Sequence, residues 1–145
     1  MLIRIPPIRP WRRWLRSPAA PAEQFDVLAR DGVRLAVHRV RPDSRDGPAV
    51  MLLHGLASNR RAFHFPGRSL AEWLAGRGFD CYLPELRGCG ESERPAFDWW
   101  IDEYLCQDLP AIIDAIRLRN GNVQIHWVGH SLGGLLLLCY GILFP

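Results

Sequence analysis

Length, composition and charge allow a single folded domain and exclude some classes of function. The chain has 145 residues, of which 48% are hydrophobic, and a formal net charge of +3, so it can bury one core of ordinary size. Five arginines and no acidic residue lie in the first 22 residues. The rest of the chain is therefore slightly acidic, and no nucleic-acid-binding surface is expected. The sequence has no stretch of about 18 apolar residues, so no transmembrane helix is predicted.

Residues 1–22 are rich in Pro, Arg and Trp and follow no helical or strand period. We expect them to form a basic, disordered arm. Two alternatives remain open. The run Arg12-Arg13-Trp14-Leu15 is similar to a twin-arginine export signal, although the apolar stretch that should follow is missing. The interleaved Arg and Trp side chains could instead contact an anionic membrane surface.

The four cysteines are scattered and show neither a C-x-x-C pair nor metal-ligand spacing. This usage is typical of reduced, partly buried thiols in a cytosolic protein. We therefore expect a cytoplasmic protein without a bound metal or cofactor, with membrane association and export as the alternatives to the cytoplasm.

Two strand-like runs follow the arm. Residues 25–30 and 33–40 flank Asp31-Gly32, a strong turn signal, and together predict an antiparallel β-hairpin. A polar loop over 42–48 separates the hairpin from the apolar run Ala49–Leu53. That run predicts a strand buried on both faces, as in a parallel sheet.

Two helices and one strand are predicted in the middle of the chain. Leu70–Ala75 has apolar residues on one face and is followed by glycines that end a helix. Residues 79–83 predict a second buried strand, which a proline stops. Apolar residues at near-helical spacing predict a helix over 98–119. Pro110 is expected to interrupt this helix or restart it near Asp108, which could cap the second part.

The last two elements are a strand over 123–128 and an almost wholly apolar helix from Leu132 onward. Strands and helices thus alternate after the opening hairpin. This order predicts an α/β fold with a mostly parallel sheet and helices on both faces.

A G-x-S-x-G sequence, Gly129-His130-Ser131-Leu132-Gly133, lies at the junction of the last predicted strand and helix. In this strand–turn–helix setting the motif carries a nucleophilic serine. A side chain at Gly129 or Gly133 would crowd the tight turn, which we expect to hold Ser131 in a strained conformation. The N–H groups that begin the helix point to the same place. Ser131 is the predicted nucleophile, and the alternative is a serine that only caps the helix.

His54-Gly55-Leu56 follows directly after a predicted buried strand. Acyl transfer places negative charge on a carbonyl oxygen, which backbone N–H groups held in place can stabilise. The N–H groups of Leu56 and Leu132 are the natural pair for such an oxyanion hole. We expect His54 to order its loop by hydrogen bonding rather than to act as a base.

The other histidines carry weaker signals. We expect His126 and His130 to belong structurally to the serine turn and its strand. We expect His38 and His64 to be surface or loop residues.

The run Glu85-Leu86-Arg87-Gly88-Cys89-Gly90-Glu91-Ser92 follows the strand over 79–83. Its glycines suit a tight loop, in which Arg87 could pair with Glu85 or Glu91. A structural role for this loop is favoured over a role at the border of an active site.

Together these three motifs resemble the α/β-hydrolase fold family, and the resemblance extends over 25–145. It implies that Ser131 is the nucleophile and that the N–H groups of Leu56 and Leu132 form the oxyanion hole. Glu85 stands where the family usually has Asp. The serine disfavours dehalogenases and epoxide hydrolases of this fold, which use Asp at the turn, and polyester synthases, which use Cys.

The resemblance covers only the N-terminal half of the family's fold. The family sheet typically has eight strands, with the catalytic acid and histidine on loops after the later ones. This sequence has no Asp, Glu or His after Ser131. We therefore interpret residues 23–145 as the N-terminal part of such a domain. This chain alone is expected to be nearly inactive, because loss of the base costs about 10⁶ in turnover.

Two functions are consistent with these observations. The first is a serine hydrolase that cleaves an ester or related acyl bond of a small-molecule substrate through an acyl-enzyme at Ser131. The alternative is a non-catalytic remnant or interaction module that retains the first half of the fold. The resemblance implies that a further strand normally flanks the strand over 123–128, so we expect this strand and the helix from Leu132 to be uncovered here. Such surfaces predict aggregation or association with a partner chain, but the sequence does not specify an oligomeric state.

Overall fold

The computed structural model describes residues 22–43, 47–121 and 124–144. The elements, in chain order, are β1 (Glu23–Leu28), β2 (Arg34–Val40), β3 (Ala49–Leu53), a 3-10 turn (Arg60–Ala62), β4 (His64–Phe65), β5 (Arg68–Ser69), α1 (Leu70–Ala75), β6 (Asp80–Pro84), α2 (Ile101–Glu103), a π-helical turn (Tyr104–Asp108), α3 (Leu109–Asn120), β7 (Ile125–Gly129) and α4 (Leu132–Leu143). The predicted arm over 1–22 lies outside the described residues apart from Ala22, as does Val123 of the last predicted strand.

Strands β1 and β2 form the predicted antiparallel hairpin, with Phe25 opposite Val37. The N–H of Ala29 donates to the carbonyl of Val33 across the turn (2.8 Å). Gly32 in this turn has a φ of 88°, a conformation that glycine adopts at little cost. Asp31-Gly32 therefore predicts the turn correctly because the turn requires a backbone conformation that glycine adopts readily.

Five strands form one mixed sheet in the order β1-β2-β6-β3-β7. Strand β3 pairs in parallel with β6 and with β7, whereas β2 is antiparallel to β6. This confirms the α/β fold with an opening hairpin. The sequence does not predict the 3-10 turn or the two-residue strands β4 and β5, because elements this short have no hydrophobic period.

Alternate residues of β3 face two different cores. Met51 and Leu53 pack with residues of α3 and α4 in one core, whereas Val50 and Leu52 pack with residues of α1 in the other. All four side chains are at most 2% exposed. Helices therefore cover both faces of the sheet, as predicted.

The helix restarts near Asp108, as expected: a π-helical turn ends at Asp108 and α3 begins at Leu109, with Pro110 in its first turn. In the π-helical turn the N–H of Leu109 donates to the carbonyl of Tyr104, five residues earlier. This wider turn accommodates the proline ring at the start of α3. Asp108 makes no capping hydrogen bond, contrary to expectation, because its carboxylate binds Arg87 instead.

Strand β7 lies at an edge of the sheet, and β3 is its only partner among the described residues. No residue of β7 is fully buried. The adjacent helix α4 exposes several large apolar side chains, namely Leu135, Leu138, Ile142 and Leu143. The uncovered edge and helix are thus confirmed, while association with a second chain stays a prediction. Within the described ranges we find no helix with the length and hydropathy of a membrane span.

Candidate active site

The predicted serine lies in a sharp turn between the edge strand β7 and helix α4. β7 ends at Gly129 and α4 begins at Leu132. Ser131 has a φ of 51° and a ψ of −115°, a sparsely populated region that costs about 1–3 kcal/mol. Its carbonyl accepts hydrogen bonds from the N–H groups of Gly134 (2.9 Å) and Leu135 (3.1 Å), so the turn runs directly into the helix.

Two glycines allow the strand, the turn and the helix to approach closely. A Cβ atom on Gly133 would collide with the backbone of Leu53 and would lie 2.8 Å from the carbonyl oxygen of His54. A Cβ atom on Gly129 would collide with the backbone of Gly133. Because packed backbone cannot move aside as a flexible side chain can, both positions require glycine.

The loop after β3 packs against the serine turn. The N–H of His130 donates to the carbonyl of Leu53 (3.0 Å). A Cβ atom on Gly55 would lie 3.2 Å from the Cβ of Ser131 and 3.1 Å from Nδ1 of His130. Both distances are shorter than ordinary van der Waals contact, so a side chain at position 55 would require the serine turn to move by a few tenths of an ångström.

His54 is buried and uses both ring nitrogens in hydrogen bonds to loop backbone. Nδ1 donates to the carbonyl of Gly55 (2.7 Å), and Nε2 accepts from the N–H of Leu86 (3.1 Å). Burial lowers the pKa of His54, which favours the neutral ring that this pair of bonds requires. His54 thus orders its loop by hydrogen bonding, as predicted, and also joins it to the loop after β6. Neither nitrogen is free to take a proton from Ser131.

Leu56 and Leu132 border the same cleft as Ser131. Neither backbone N–H donates a hydrogen bond to any described residue. For Leu132 this follows from its place in the first turn of α4, where N–H groups have no intrahelical partner. Neither N–H group is thus engaged by the part of the protein that the structure describes.

The cleft beside Ser131 has a volume of about 800 Å³, which is within the range of small-molecule sites, roughly 300–1,000 Å³. Its lining combines apolar and aromatic side chains with one serine: Leu56, Trp99, Trp100, Ile101, Tyr104, Ser131, Leu132 and Leu135. The sequence does not predict that residues 99–104 line a cleft, because apolar residues at helical spacing indicate core packing first. The adjacent pair Trp99-Trp100, which precedes the helix, is the signal that could have indicated it.

A buried arginine holds the loop after β6, with partners other than those predicted. Arg87 is fully buried and binds Asp108 (Nε–Oδ1, 3.0 Å) and Asp31 (Nη1–Oδ2, 2.8 Å). The predicted pairing with Glu85 or Glu91 is wrong, because Asp31 and Asp108 are distant from Arg87 in sequence but lie next to it in the fold. Although burial alone would lower the pKa of Arg87, its hydrogen bonds to Asp108 and Asp31 raise it.

Glu85 is buried beneath the loops after β3 and β6. Its carboxylate accepts hydrogen bonds from the N–H of Glu91 (2.7 Å) and from the N–H (3.1 Å) and guanidinium (3.2 Å) of Arg60, and it lies 3.4 Å from Nε2 of His38. Burial alone would raise the pKa of Glu85, but these partners lower it to about 2. Glu85 therefore stays ionised and ties the two loops together.

Two histidines that we expected at the surface or in loops are buried. His38 lies in β2 and is 3% exposed, against the carboxylate of Glu85. His64 lies in β4 and is 8% exposed, with Nδ1 2.8 Å from Oγ of Ser69. The expectation is wrong because each ring has a polar partner inside the fold, which satisfies it without solvent.

The remaining histidines, His126 and His130, lie in β7 and in the serine turn, as predicted. All four cysteines are free. Among the described residues, no group of three or more His, Cys, Asp and Glu side chains could hold a metal ion.

The fold and this site define an α/β protein with a serine at the carboxyl end of a parallel strand, where ligands of such sheets usually bind. A family model of the alpha/beta hydrolase fold matches residues 48–145. The chain belongs to this family.

Curated relatives include lipases. Gastric triacylglycerol lipase of Homo sapiens is 34% identical over 130 residues, which are 78% of this chain and 33% of the lipase. Lipase 3 of Drosophila melanogaster is 30% identical over 136 residues, 81% of this chain and 34% of that lipase. The chain thus spans about a third of the length of these relatives.

Solved structures show the same fold. An alpha/beta hydrolase from Novosphingobium aromaticivorans is 32% identical with a TM-score of 0.71, and the match covers 87% of this chain and 41% of that one. An epoxide hydrolase from Vigna radiata is 25% identical with a TM-score of 0.67, covering 86% of this chain and 35% of that one.

Proposed function

We propose that this protein is a serine hydrolase that cleaves an ester or related acyl bond through an acyl-enzyme at Ser131. The observation that carries the proposal is the φ of 51° at Ser131, at the start of α4 and on the rim of an apolar cleft. Strain of this kind persists only where the surrounding structure maintains it, and it clusters at active sites. The similarity to gastric triacylglycerol lipase supports an acyl ester as the bond cleaved.

In this mechanism Oγ of Ser131 attacks the carbonyl carbon of a small-molecule acyl substrate and gives its proton to a base. The former carbonyl oxygen becomes negatively charged and accepts hydrogen bonds from the N–H groups of Leu56 and Leu132, each worth about 10²–10³ in rate. The bond to the leaving group then breaks, and the leaving group departs with the proton. Water hydrolyses the acyl-enzyme in the second half of the reaction.

No described residue is assigned as the base. Both ring nitrogens of His54 are engaged in hydrogen bonds, and Glu85 is committed to Arg60 and Glu91. We propose that residues 23–145 form the N-terminal part of the hydrolase domain, and that the remaining part of that domain supplies the acid and the base.

A serine at this turn favours acyl transfer over epoxide opening, although an epoxide hydrolase is among the structural relatives. Epoxide hydrolases of this fold are expected to use the carboxylate of an Asp at the turn. The hydroxyl of Ser131, activated by a base, forms an acyl-enzyme with a carbonyl substrate instead.

Labelling with a fluorophosphonate probe tests the proposal. The protein is expressed from its complete reading frame, and labelling and hydrolysis of p-nitrophenyl butyrate are compared between the wild type and Ser131→Ala. We expect the variant to lose labelling and to lose at least about 10³ in turnover, with an unchanged circular dichroism spectrum. Ser17→Ala, in the predicted arm, is the matched control and should label as the wild type does.

Two outcomes would contradict the proposal. One is a folded wild-type protein that neither labels nor hydrolyses any ester. The other is a complete reading frame that provides no Asp, Glu or His after Ser131.

A non-catalytic interaction module is the second candidate. The apolar face of α4 favours it, since Leu138 is 65% and Ile142 is 79% exposed and such surfaces tend to associate. Size-exclusion chromatography combined with probe labelling separates the two functions. A protein that associates stably with a second chain but never reacts with the probe would support the module and reject the hydrolase.

We propose a cytoplasmic location on the basis of the four free cysteines, because thiols persist in reducing compartments. Cell fractionation tests this. Recovery in a membrane or exported fraction would support the alternatives of surface contact or export through the N-terminal arm.

A further inference from the structure

Trp99 forms a fixed wall of the cleft beside Ser131. Its Nε1–H donates to the hydroxyl of Tyr104 (2.8 Å), and the guanidinium of Arg94 lies 5.8 Å from its ring centroid. The ring also packs on Gly88, where a Cβ atom would lie 2.7 Å from Cζ2 of Trp99. Contacts from the loop after β6 and from the π-helical turn thus hold the indole in one position.

Tyr104 is itself anchored next to a buried ion pair. It begins the π-helical turn that ends at Asp108, and Asp108 is fully buried against Arg87 (3.0 Å). Turns of this kind are frequent at functional sites. The wall is therefore attached to the core of the protein rather than to a mobile surface loop.

The wall presents apolar surface to the cleft. The Nε1–H of Trp99 is satisfied by the hydroxyl oxygen of Tyr104, so the indole requires no polar ligand. The neighbouring side chains of Leu56, Ile101 and Leu135 are apolar and 38% to 72% exposed. None of the described residues that line the cleft is charged. An uncharged aliphatic chain fits this lining, whereas an ionic group would lose its hydration without compensation.

We propose that this cleft binds the aliphatic acyl chain of the substrate and that Trp99, positioned by Tyr104, determines which chain lengths are accepted. The inference rests on the proposed function, which orients the ester toward Ser131. Trp100 is 74% exposed and extends the wall outward, so longer chains gain contact. Each additional buried methylene raises affinity by up to about fourfold. Esters of medium and long chains are therefore preferred over acetyl esters.

A series of p-nitrophenyl esters from acetate to decanoate tests the assignment. The measured quantity is the ratio of kcat/KM for the decanoate ester to that for the acetate ester, in protein from the complete reading frame. We expect Trp99→Ala to lower this ratio about tenfold and Tyr104→Phe, which removes only the hydroxyl, about threefold, because contact with the distal methylenes is lost. A merely structural role would lower turnover of all esters equally and leave the ratio unchanged.

Trp73→Ala is the matched control. Trp73 is 45% exposed and lies outside this cleft, with the guanidinium of Arg77 3.4 Å from its ring centroid. Its substitution removes an exposed tryptophan outside the cleft and should leave the ratio at the wild-type value.

Binding of decanoate, followed by titration calorimetry, separates this inference from the proposed function. If the protein hydrolyses esters but Trp99→Ala and Tyr104→Phe leave both the ratio and decanoate binding unchanged, the inference is overturned while the proposed function stands. If no ester is hydrolysed, the proposed function fails. In that case, decanoate binding to the wild type that weakens about tenfold in Trp99→Ala supports the assignment of the cleft to an aliphatic chain. If the wild type does not bind decanoate, or if Trp99→Ala binds it equally well, the assignment is overturned.

Discussion

Nε of Arg87 lies 3.0 Å from Oδ1 of Asp108 and Nη2 lies 2.5 Å from the same oxygen, and both side chains are completely buried. Asp31, in the hairpin turn, binds the other edge of the same guanidinium (2.8 Å). One arginine therefore connects the β1–β2 hairpin, the loop after β6 and the π-helical turn whose Tyr104 holds the wall of the cleft. None of these three residues lines the cleft. They therefore stabilise the elements around the site without contacting a ligand bound there.

Removal of this arginine should strongly destabilise the fold. Arg87→Met leaves the carboxylate of Asp108 buried without a partner, and an uncompensated buried charge costs about 3–5 kcal/mol. The measurement is the free energy of unfolding from urea titration. Arg41→Met is the matched control, since it breaks an exposed pair with Glu23 (2.8 Å) and should cost less than about 1 kcal/mol. Equal losses in the two variants would contradict this account.

The stability of the protein should fall in acid because of Glu85. Its pKa is about 2 in the folded protein against an ordinary value of 4.5, so the folded state favours the ionised form. The ionised carboxylate of Glu85 therefore contributes its full stabilisation above pH 4.5, and this contribution is lost as the pH falls from 4.5 toward 2. It amounts to about 3 kcal/mol. The free energy of unfolding of wild type and Glu85→Gln, measured across this range, should differ at pH 7 and converge near pH 2.

Glu23→Gln provides the comparison for the acid experiment. Glu23 is also ion-paired, with Arg41, but its side chain is 40% exposed, and solvent screens such pairs. We expect this variant to follow the wild-type pH dependence. A parallel pH dependence for Glu85→Gln and wild type would show that Glu85 does not carry the effect.

The parts of the fold that could be predicted are those encoded locally. Asp31-Gly32 identifies the hairpin, since only a turn residue of this type accommodates a φ of 88°. The continuous apolar run of β3 identifies a strand buried on both faces. The turn at Ser131 is equally local, because its geometry depends on two flanking glycines and the helix that follows.

The parts that could not be predicted depend on partners distant in sequence. Arg87 has acidic residues two and four positions away, yet it binds Asp31 and Asp108. His38 is a polar residue that we expected at the surface or in a loop, but the carboxylate of Glu85, distant in sequence, lies against it inside the fold. The wall at Trp99 belongs to the cleft only because the π-helical turn and the serine turn meet in space. No periodicity contains that information.

Alanine at Gly133 should disrupt the serine turn, whereas alanine at Gly141 in the same helix should not. A Cβ atom on Gly133 would collide with the backbone of Leu53, while a Cβ atom on Gly141 would meet nothing within 4 Å. Gly133→Ala should lower the free energy of unfolding by about 1–3 kcal/mol. Gly141→Ala should raise it by about 0.5–1 kcal/mol, because alanine is the better helix former. A stabilising Gly133→Ala would mean that the loop after β3 can retreat from the helix.

The strain at Ser131 can be measured by two substitutions that both remove the hydroxyl. Ser131→Ala keeps the Cβ atom at a φ of 51°, so it retains the strain. Ser131→Gly removes the Cβ atom and relieves the strain of about 1–3 kcal/mol, less about 0.5–1 kcal/mol for the greater freedom of glycine in the unfolded chain. We expect Ser131→Gly to be more stable than Ser131→Ala by about 1 kcal/mol.

This difference isolates the backbone from the chemistry, because neither variant can react with a fluorophosphonate probe. Thermal denaturation of both variants side by side gives the comparison directly. If Ser131→Gly is more stable than Ser131→Ala, the fold maintains the conformation of Ser131 at a cost in free energy, as expected where a hydroxyl must be presented to a cleft. A Ser131→Gly variant less stable than Ser131→Ala by about 0.5–1 kcal/mol would mean that the turn imposes no strain, and the observation that carries the proposed function would lose its physical basis.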